Sequence, residues 1–350
     1  MTRSVEPHFR LLTPKVVGMF AMLAAANIGA WFWAFAAFRQ SPVLLGTAIL
    51  AYSFGLRHAI DADHIAAIDN VTRKLMQEAK PPSAVGLFFS LGHSTVVVLA
   101  SLLIALGAGA LNARFIEFKE VGGVIGTSIS SLFLFAIAII NIFILIAVYR
   151  TFQRVKRGGR LVEDDLDLML TGRGLLGRLF RPLFGFIRSS WQMYPLGFLF
   201  GLGFDTATEV GVLGISAAQA GNGLTMWSLL VFPALFTAGM ALIDTADSVL
   251  MTGAYGWAFV KPIRKLYYNL TITAVSVVVA LLVGSVEALG LLADKFALRG
   301  AFWGGVAALN DQFGVLGYLI VAIFAVSWIL AILVYRLKGY DRLELVTEFS

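Results

Sequence analysis

Cysteine is absent from the 350-residue sequence, which excludes disulfides, thiolate metal ligands and thiol nucleophiles together. Any metal site must use nitrogen and oxygen donors. Charge is scarce: Asp, Glu, Lys and Arg make up 14% of the residues, against roughly a quarter in soluble domains. With 59% apolar residues and a mean hydropathy of +0.83, the chain needs lipid around it. A Gly-x4-Gly-Lys-Ser/Thr phosphate loop is missing, so direct ATP drive is not expected and no ATPase partner is evident. The net charge of +6 resides in short segments between apolar runs, which is how membrane orientation is encoded; no nucleic-acid partner is expected.

What is present is a series of apolar runs of about 20 residues, the length that spans the bilayer hydrocarbon. They predict an all-α polytopic membrane protein with eight helices near 16–38, 43–69, 84–108, 121–149, 191–218, 224–255, 267–292 and 312–335. The first run follows Arg3, Arg10 and Lys15 without a small-residue cleavage site and reads as a retained helix. Alternating the loops between sides puts 21 basic residues on one side and 5 on the other, with Arg57 inside a span, and so places both termini in the cytoplasm. A cytoplasmic loop over 151–190, basic, then acidic at Glu163, Asp164, Asp165 and Asp167, then basic again, reads as a solvated, orientation-setting segment. It separates two four-helix halves, 1–150 and 191–350.

The halves echo one another. Phe54-Gly55-Leu56 precedes the polar cluster of the second span, and Phe200-Gly201-Leu202 precedes Asp205 in the fifth. Gly92-His93 in the third is answered by Gly239-Met240 in the sixth. Paired spans run in opposite directions, so a true echo makes an inverted repeat with a site at the repeat interface; chance matches in apolar sequence are the alternative.

Polar residues inside spans cost about 2.5–3.5 kcal/mol each on insertion scales and mark function or polar packing. Here they cluster. The second span carries Arg57, His58, Asp61, Asp63, His64, Asp69 and Asn70; the third His93; the fifth Asp205 and Glu209; the sixth Asp244 and Asp247. Three of the four histidines lie in spans. On a regular helix with His58 at zero, Asp61 falls at about 300° and His64 at about 240°, one face able to grip a metal. Asp63 falls at about 140°, on the far side, and could meet Arg57 only if the backbone bends, which Gly55 could permit. Arg57 is expected to neutralise a carboxylate when metal is absent. Imidazole with carboxylate suits Ni, Co, Zn or Mn; Mg or Ca would favour all oxygen, and copper(I) would favour sulfur, for which the nine scattered methionines offer no cluster. The plainer reading of these groups is a hydrogen-bonded helix-packing network. Asp69 and Asn70 read as a helix end, and Glu287 as vestibule or surface.

The motifs Arg57-His58-Ala59-Ile60-Asp61-Ala62-Asp63-His64-Ile65, Phe88-Phe89-Ser90-Leu91-Gly92-His93-Ser94-Thr95-Val96-Val97, Leu202-Gly203-Phe204-Asp205-Thr206-Ala207-Thr208-Glu209 and Gly239-Met240-Ala241-Leu242-Ile243-Asp244-Thr245-Ala246-Asp247 resemble the four signatures of the nickel/cobalt transporter (NiCoT) family, in the family's order. The resemblance covers essentially the whole chain. It implies high-affinity uptake of Ni2+ or Co2+ as cargo rather than cofactor, through a bacterial cytoplasmic membrane, with His58, Asp63 and His64 essential. It also implies that Asn27, 31 residues before His58, bears on metal selectivity. Since it requires Asp63, it implies a broken or kinked second helix. His58, Asp61, Asp63, His64, His93 and Asn27 are thus the expected metal set, with Asp205, Glu209, Asp244 and Asp247 as pathway or accessory ligands and Arg57 as charge partner. An exporter of the same ions, or a membrane-embedded metallo-enzyme using these histidines to activate water, are the rival readings.

Overall fold

A computed structural model describes residues 13–78, 80–107, 112–157, 187–203, 207–258 and 262–338. Helices α1 (Pro14–Phe38) and α2 (Pro42–His58) begin alike, because sequence sets both starts. Thr13 and Ser41 accept from the backbone N–H groups of Val16 and Leu44, and each is followed by a proline whose fixed φ suits the first helical turn. The chain continues through α3 (Ala62–Gln77), α4 (Val85–Gly107), α5 (Asn112–Lys156), α6 (Met193–Gly201), α7 (Ala207–Gly221), α8 (Met226–Leu229), α9 (Val231–Ala258), α10 (Pro262–Lys295), α11 (Ala301–Asp311) and α12 (Phe313–Leu337). No strand occurs among the described residues.

Six of these helices, α1, α4, α5, α9, α10 and α12, are individually long and apolar enough to cross a membrane, α9 together with the short α8 that leads into it. The pair α2 and α3 passes the same test jointly but bends by 49° at its junction. The region expected to hold the fifth span contains the shorter α6 and α7, with residues 204–206 between them outside the described set. The chain is therefore a multi-pass membrane protein. Its surface carries large apolar side chains such as Ile28, Phe32, Val278, Val315 and Ile329, while His58, His64, Asp69, Asp244 and Thr273 are fully buried. That inversion of the soluble pattern follows from a solvent as apolar as the core.

The bend between α2 and α3 is the local feature that shapes the candidate site. Ile60 N–H and Asp61 N–H bond to the carbonyls of Arg57 and His58, a tightened turn that ends α2. Asp61 then turns extended (φ −64°, ψ 150°) and starts α3 anew. Gly55 is not the hinge; the backbone of Phe236 in α9 lies where its Cβ would stand, so the glycine serves close helix packing. A second correction concerns Asp69 and Asn70. They are mid-helix in α3, which runs eight residues beyond the predicted end at 69, and both are buried because neighbouring side chains take the place of water. Most of the 151–190 loop, including its acidic run, lies outside the described residues.

Candidate metal centre

Three imidazoles meet at the break. His58 is the last residue of α2, His64 lies in the first turn of α3, and His93 projects from α4. All three are buried, and one ring nitrogen from each falls within 4.8 Å of the others. Ring centroids stand 4.5 Å apart for His58 and His64, 4.7 Å for His58 and His93, and 4.8 Å for His64 and His93. The regular helix assumed for the metal-gripping face of His58, Asp61 and His64 is absent: six residues of unbroken helix would set the two histidines about 9 Å apart along the axis, and the 49° bend instead brings their ring centroids to 4.5 Å.

Carboxylates fix which nitrogen of each ring is offered. Asp61 Oδ2 lies 2.9 Å from His58 Nδ1, which also meets Thr208 Oγ1 at 3.1 Å. Asp244 holds His64 Nδ1 at 3.2 and 3.3 Å through its two oxygens. Each carboxylate accepts an N–H, so the lone pair of His58 and His64 sits on Nε2, as in carboxylate–histidine–metal arrangements. His64 Nε2 is buried and has no hydrogen-bond partner among the described residues. A buried acceptor left open costs about 1–3 kcal/mol, and a cation would recover it. His93 Nε2 lies 2.9 Å from His58 Nε2 and 2.7 Å from Glu209 Oε1, with Glu209 Oε1 3.9 Å from His58 Nε2.

These contacts form a donor set of three nitrogens and one oxygen, walled by Phe89 edge-on to His64 and Phe236 tilted over His58. For metal–nitrogen bonds of about 2.1 Å, adjacent donors stand about 3.0 Å apart at right angles and about 3.4 Å apart in a tetrahedron. The donors stand 2.7, 2.9 and 3.9 Å apart and the three imidazole nitrogens within 4.8 Å, so they share one small space without tracing either polyhedron.

The expected site residues divide accordingly. His58, His64, His93 and Glu209 converge. Asp61 and Asp244 stand behind the histidines as orienting partners. Asp61, Asp63 and Asp247 all lie near enough to Asp244 to repel it, so Asp63 joins the acidic surround once the helix is broken. Asn27 stands apart: its amide donates to the carbonyls of Leu23 and Ala238, and its oxygen accepts from Tyr52, tying α1 to α2 and α9. Arg57 is exposed and forms no ion pair among the described residues; its guanidinium and the Asp61 carboxylate border the same face of Gly314. Asp205 lies outside the described residues. Glu209, expected as an accessory ligand, touches His93, and Thr208, singled out in sequence only as part of the fifth-span motif, touches His58; both stand in the first turn of α7. Glu287 is buried, accepts from Ser130 Oγ at 2.8 Å, and lines an open cavity of about 880 Å³ with Glu120, Thr127, Gly203, Asp294 and Asp311.

A multi-pass helical bundle with a buried imidazole–carboxylate cluster is the makeup of a membrane protein that handles a divalent metal. The profile of the high-affinity nickel-transport protein family matches residues 44–334, and the chain belongs to that family. It is 64% identical over 330 residues to a high-affinity nickel transport protein of Cupriavidus necator, covering 94% of each chain. It is 45% identical to the nickel transporter NixA of Staphylococcus aureus over 87% of this chain and 89% of that one. It is also 41% identical to the cobalt transport protein NhlF of Rhodococcus rhodochrous, over 84% of each. No solved structure matches. The family and these relatives are transporters, and the metallo-enzyme alternative finds no support in them.

Proposed function

We propose that this chain takes up nickel(II), and cobalt(II) as a second ion, across the cytoplasmic membrane, and that His58, His64, His93 and Glu209 bind the ion in transit. The observation that carries the reading is the triad with His64 Nε2 left open, its ring already oriented by Asp244. An N,O donor set suits nickel(II), and the chain is similar to relatives named as nickel transporters. Cobalt enters through the relative named for it.

The architecture behind this proposal is eight spans in two inverted halves, α2/α3 and α6/α7 each counting as one interrupted span. In support, both pairs are interrupted shortly after a Phe-Gly-Leu sequence, and both resume with carboxylates, Asp61 and Asp63 in one and Glu209 in the other. Discontinuous helices at a repeat interface are where secondary transporters hold cations. Orientation follows from charge. Lys74, Arg154, Arg188 and Arg336 lie at helix ends expected on one side, so that side, with both termini, faces the cytoplasm. The cavity bordered by Glu120, Glu287, Asp294 and Asp311 then opens outward as the vestibule.

In this mechanism the ion sheds water and exchanges it for imidazole and carboxylate as the proton shared between His93 Nε2 and Glu209 leaves. The halves rock, and the ion exits inward. An interior-negative potential favours a dication by about 4.6 kcal/mol per 100 mV, twice the single-charge value. Labelled nickel uptake into proteoliposomes containing only this protein tests the reading: saturable uptake is expected, and uptake no faster than in protein-free liposomes rejects it.

A further inference from the structure

Beyond the histidine site, α3 carries a second buried polar assembly. Arg73 is 1% exposed and is the single arginine or lysine in the buried set among the described residues. Its Nη1 donates to Thr273 Oγ1 at 3.0 Å and its Nη2 to Asn70 Oδ1 at 3.0 Å. Asn141 Nδ2 donates to the same Asn70 oxygen at 2.7 Å. One turn before Arg73, Asp69 is 0% exposed and accepts from the hydroxyls of Tyr255 and Ser276, the latter at 2.8 Å. Residues four apart share a helix face, so guanidinium and carboxylate are neighbours, and Asp69 feels the Arg73 charge. Every direct hydrogen-bond partner of the guanidinium among the described residues is neutral.

Two features separate this assembly from ordinary helix packing. The first is its place on a line of acids. His64 on α3 is bonded to Asp244 on α9; Asp247 stands one turn further along α9, and about two turns beyond it Tyr255 donates to Asp69 back on α3. From the triad toward the Gln77 end of α3 the paired helices therefore present Asp244, Asp247, Asp69 and then Arg73. The second is what it joins. Asn70 and Arg73 on α3 and Asn141 on α5 belong to one half of the chain; Tyr255 on α9 and Thr273 and Ser276 on α10 belong to the other. Separating the halves on this side breaks the assembly.

We propose that Asp69 and Arg73 form an inner charge gate for the transported ion, Arg73 barring the cytoplasmic route and Asp69 cancelling its charge enough for a dication to pass when the halves part. The inference rests on the transport reading above. It assigns both residues a role in turnover and not in binding at the histidines. Removing Asp69 leaves an uncompensated guanidinium in the path; removing both restores a neutral one.

The test is a charge cycle in proteoliposomes, with labelled nickel uptake and equilibrium nickel binding measured on the same preparations. Asp69→Asn is expected to lower the maximal uptake rate at least tenfold while nickel affinity changes less than threefold. The double variant Asp69→Asn, Arg73→Gln is expected to return to within about threefold of the unaltered protein. Tyr255→Phe, which removes a hydrogen bond to Asp69 but no charge, is expected to stay within threefold. A double variant no faster than Asp69→Asn, a Tyr255→Phe defect as large as that of Asp69→Asn, or affinity falling in step with rate overturns the gate. If Asp69→Asn fails to insert, an inserted and active double variant still supports the charge argument, and failure of both overturns it. Absence of uptake by the unaltered protein would instead reject the transport reading, so the two failures are distinguishable.

Discussion

His64 shows how one residue acquires a role from its neighbours. Asp244 takes its Nδ1–H and Phe89 stands against its ring, leaving Nε2 buried and open toward His58 and His93. Partners of this kind behind a metal-binding histidine are worth about 10- to 100-fold in metal affinity. Asp244→Asn should therefore weaken nickel binding by that factor without loss of the protein from the membrane, measured by titration of purified protein; unchanged affinity would show that Asp244 does not orient the site. Glu209→Gln removes an anionic donor and should weaken binding at least tenfold in the same titration. Much of this was legible. Histidines and carboxylates in apolar runs single out His58, Asp61, His64 and His93 in the sequence. What spacing could not supply was the division of labour: Asp61 and Glu209 look alike in sequence, and only tertiary contact makes one a support for His58 and the other a companion of the triad.

At the scale of the element, the break between α2 and α3 decides the geometry, and α12 holds it. The Ile60 carbonyl, in the turn itself, occupies the space where a Cβ on Gly317 would stand. A side chain there must push α12 off the turn. Overpacking of this kind costs about 1–3 kcal/mol, so Gly317→Val should lower the thermal midpoint and weaken nickel binding together. A variant with unaltered melting and affinity would show that α12 does not clamp the break. The break was legible only through the family pattern, which demands Asp63. Hydropathy runs smoothly through Ala59 and Ile60, whereas Asp61 as a helix start is visible once the break is granted. The opposite error occurred at Asp69 and Asn70. Asp and Asn ordinarily signal an end because they need water or backbone partners; here Tyr255, Ser276 and Asn141 satisfy them from other helices, and no local pattern reveals that.

At the scale of the molecule, an apolar exterior around a polar interior makes the chain a dielectric shell for one small dication. Composition and the length of the apolar runs point to the lipid-facing exterior, and the polar motifs within those runs to the interior. The run over 191–218 predicts one continuous helix, whereas the structure has two shorter ones there, α6 and α7. If the ion moves with its charge, an imposed interior-negative potential should accelerate nickel uptake into proteoliposomes, and collapsing that potential should slow it; a rate indifferent to potential would mean that another ion's movement compensates the charge. All of this depends on the ion being held where the three imidazoles meet. Nickel K-edge absorption of the stoichiometric nickel complex tests that most directly. The account predicts outer-shell scattering from three imidazoles with oxygen completing the shell, and loss of one imidazole contribution in His64→Ala. An all-oxygen shell, or a spectrum unchanged by His64→Ala, would contradict it.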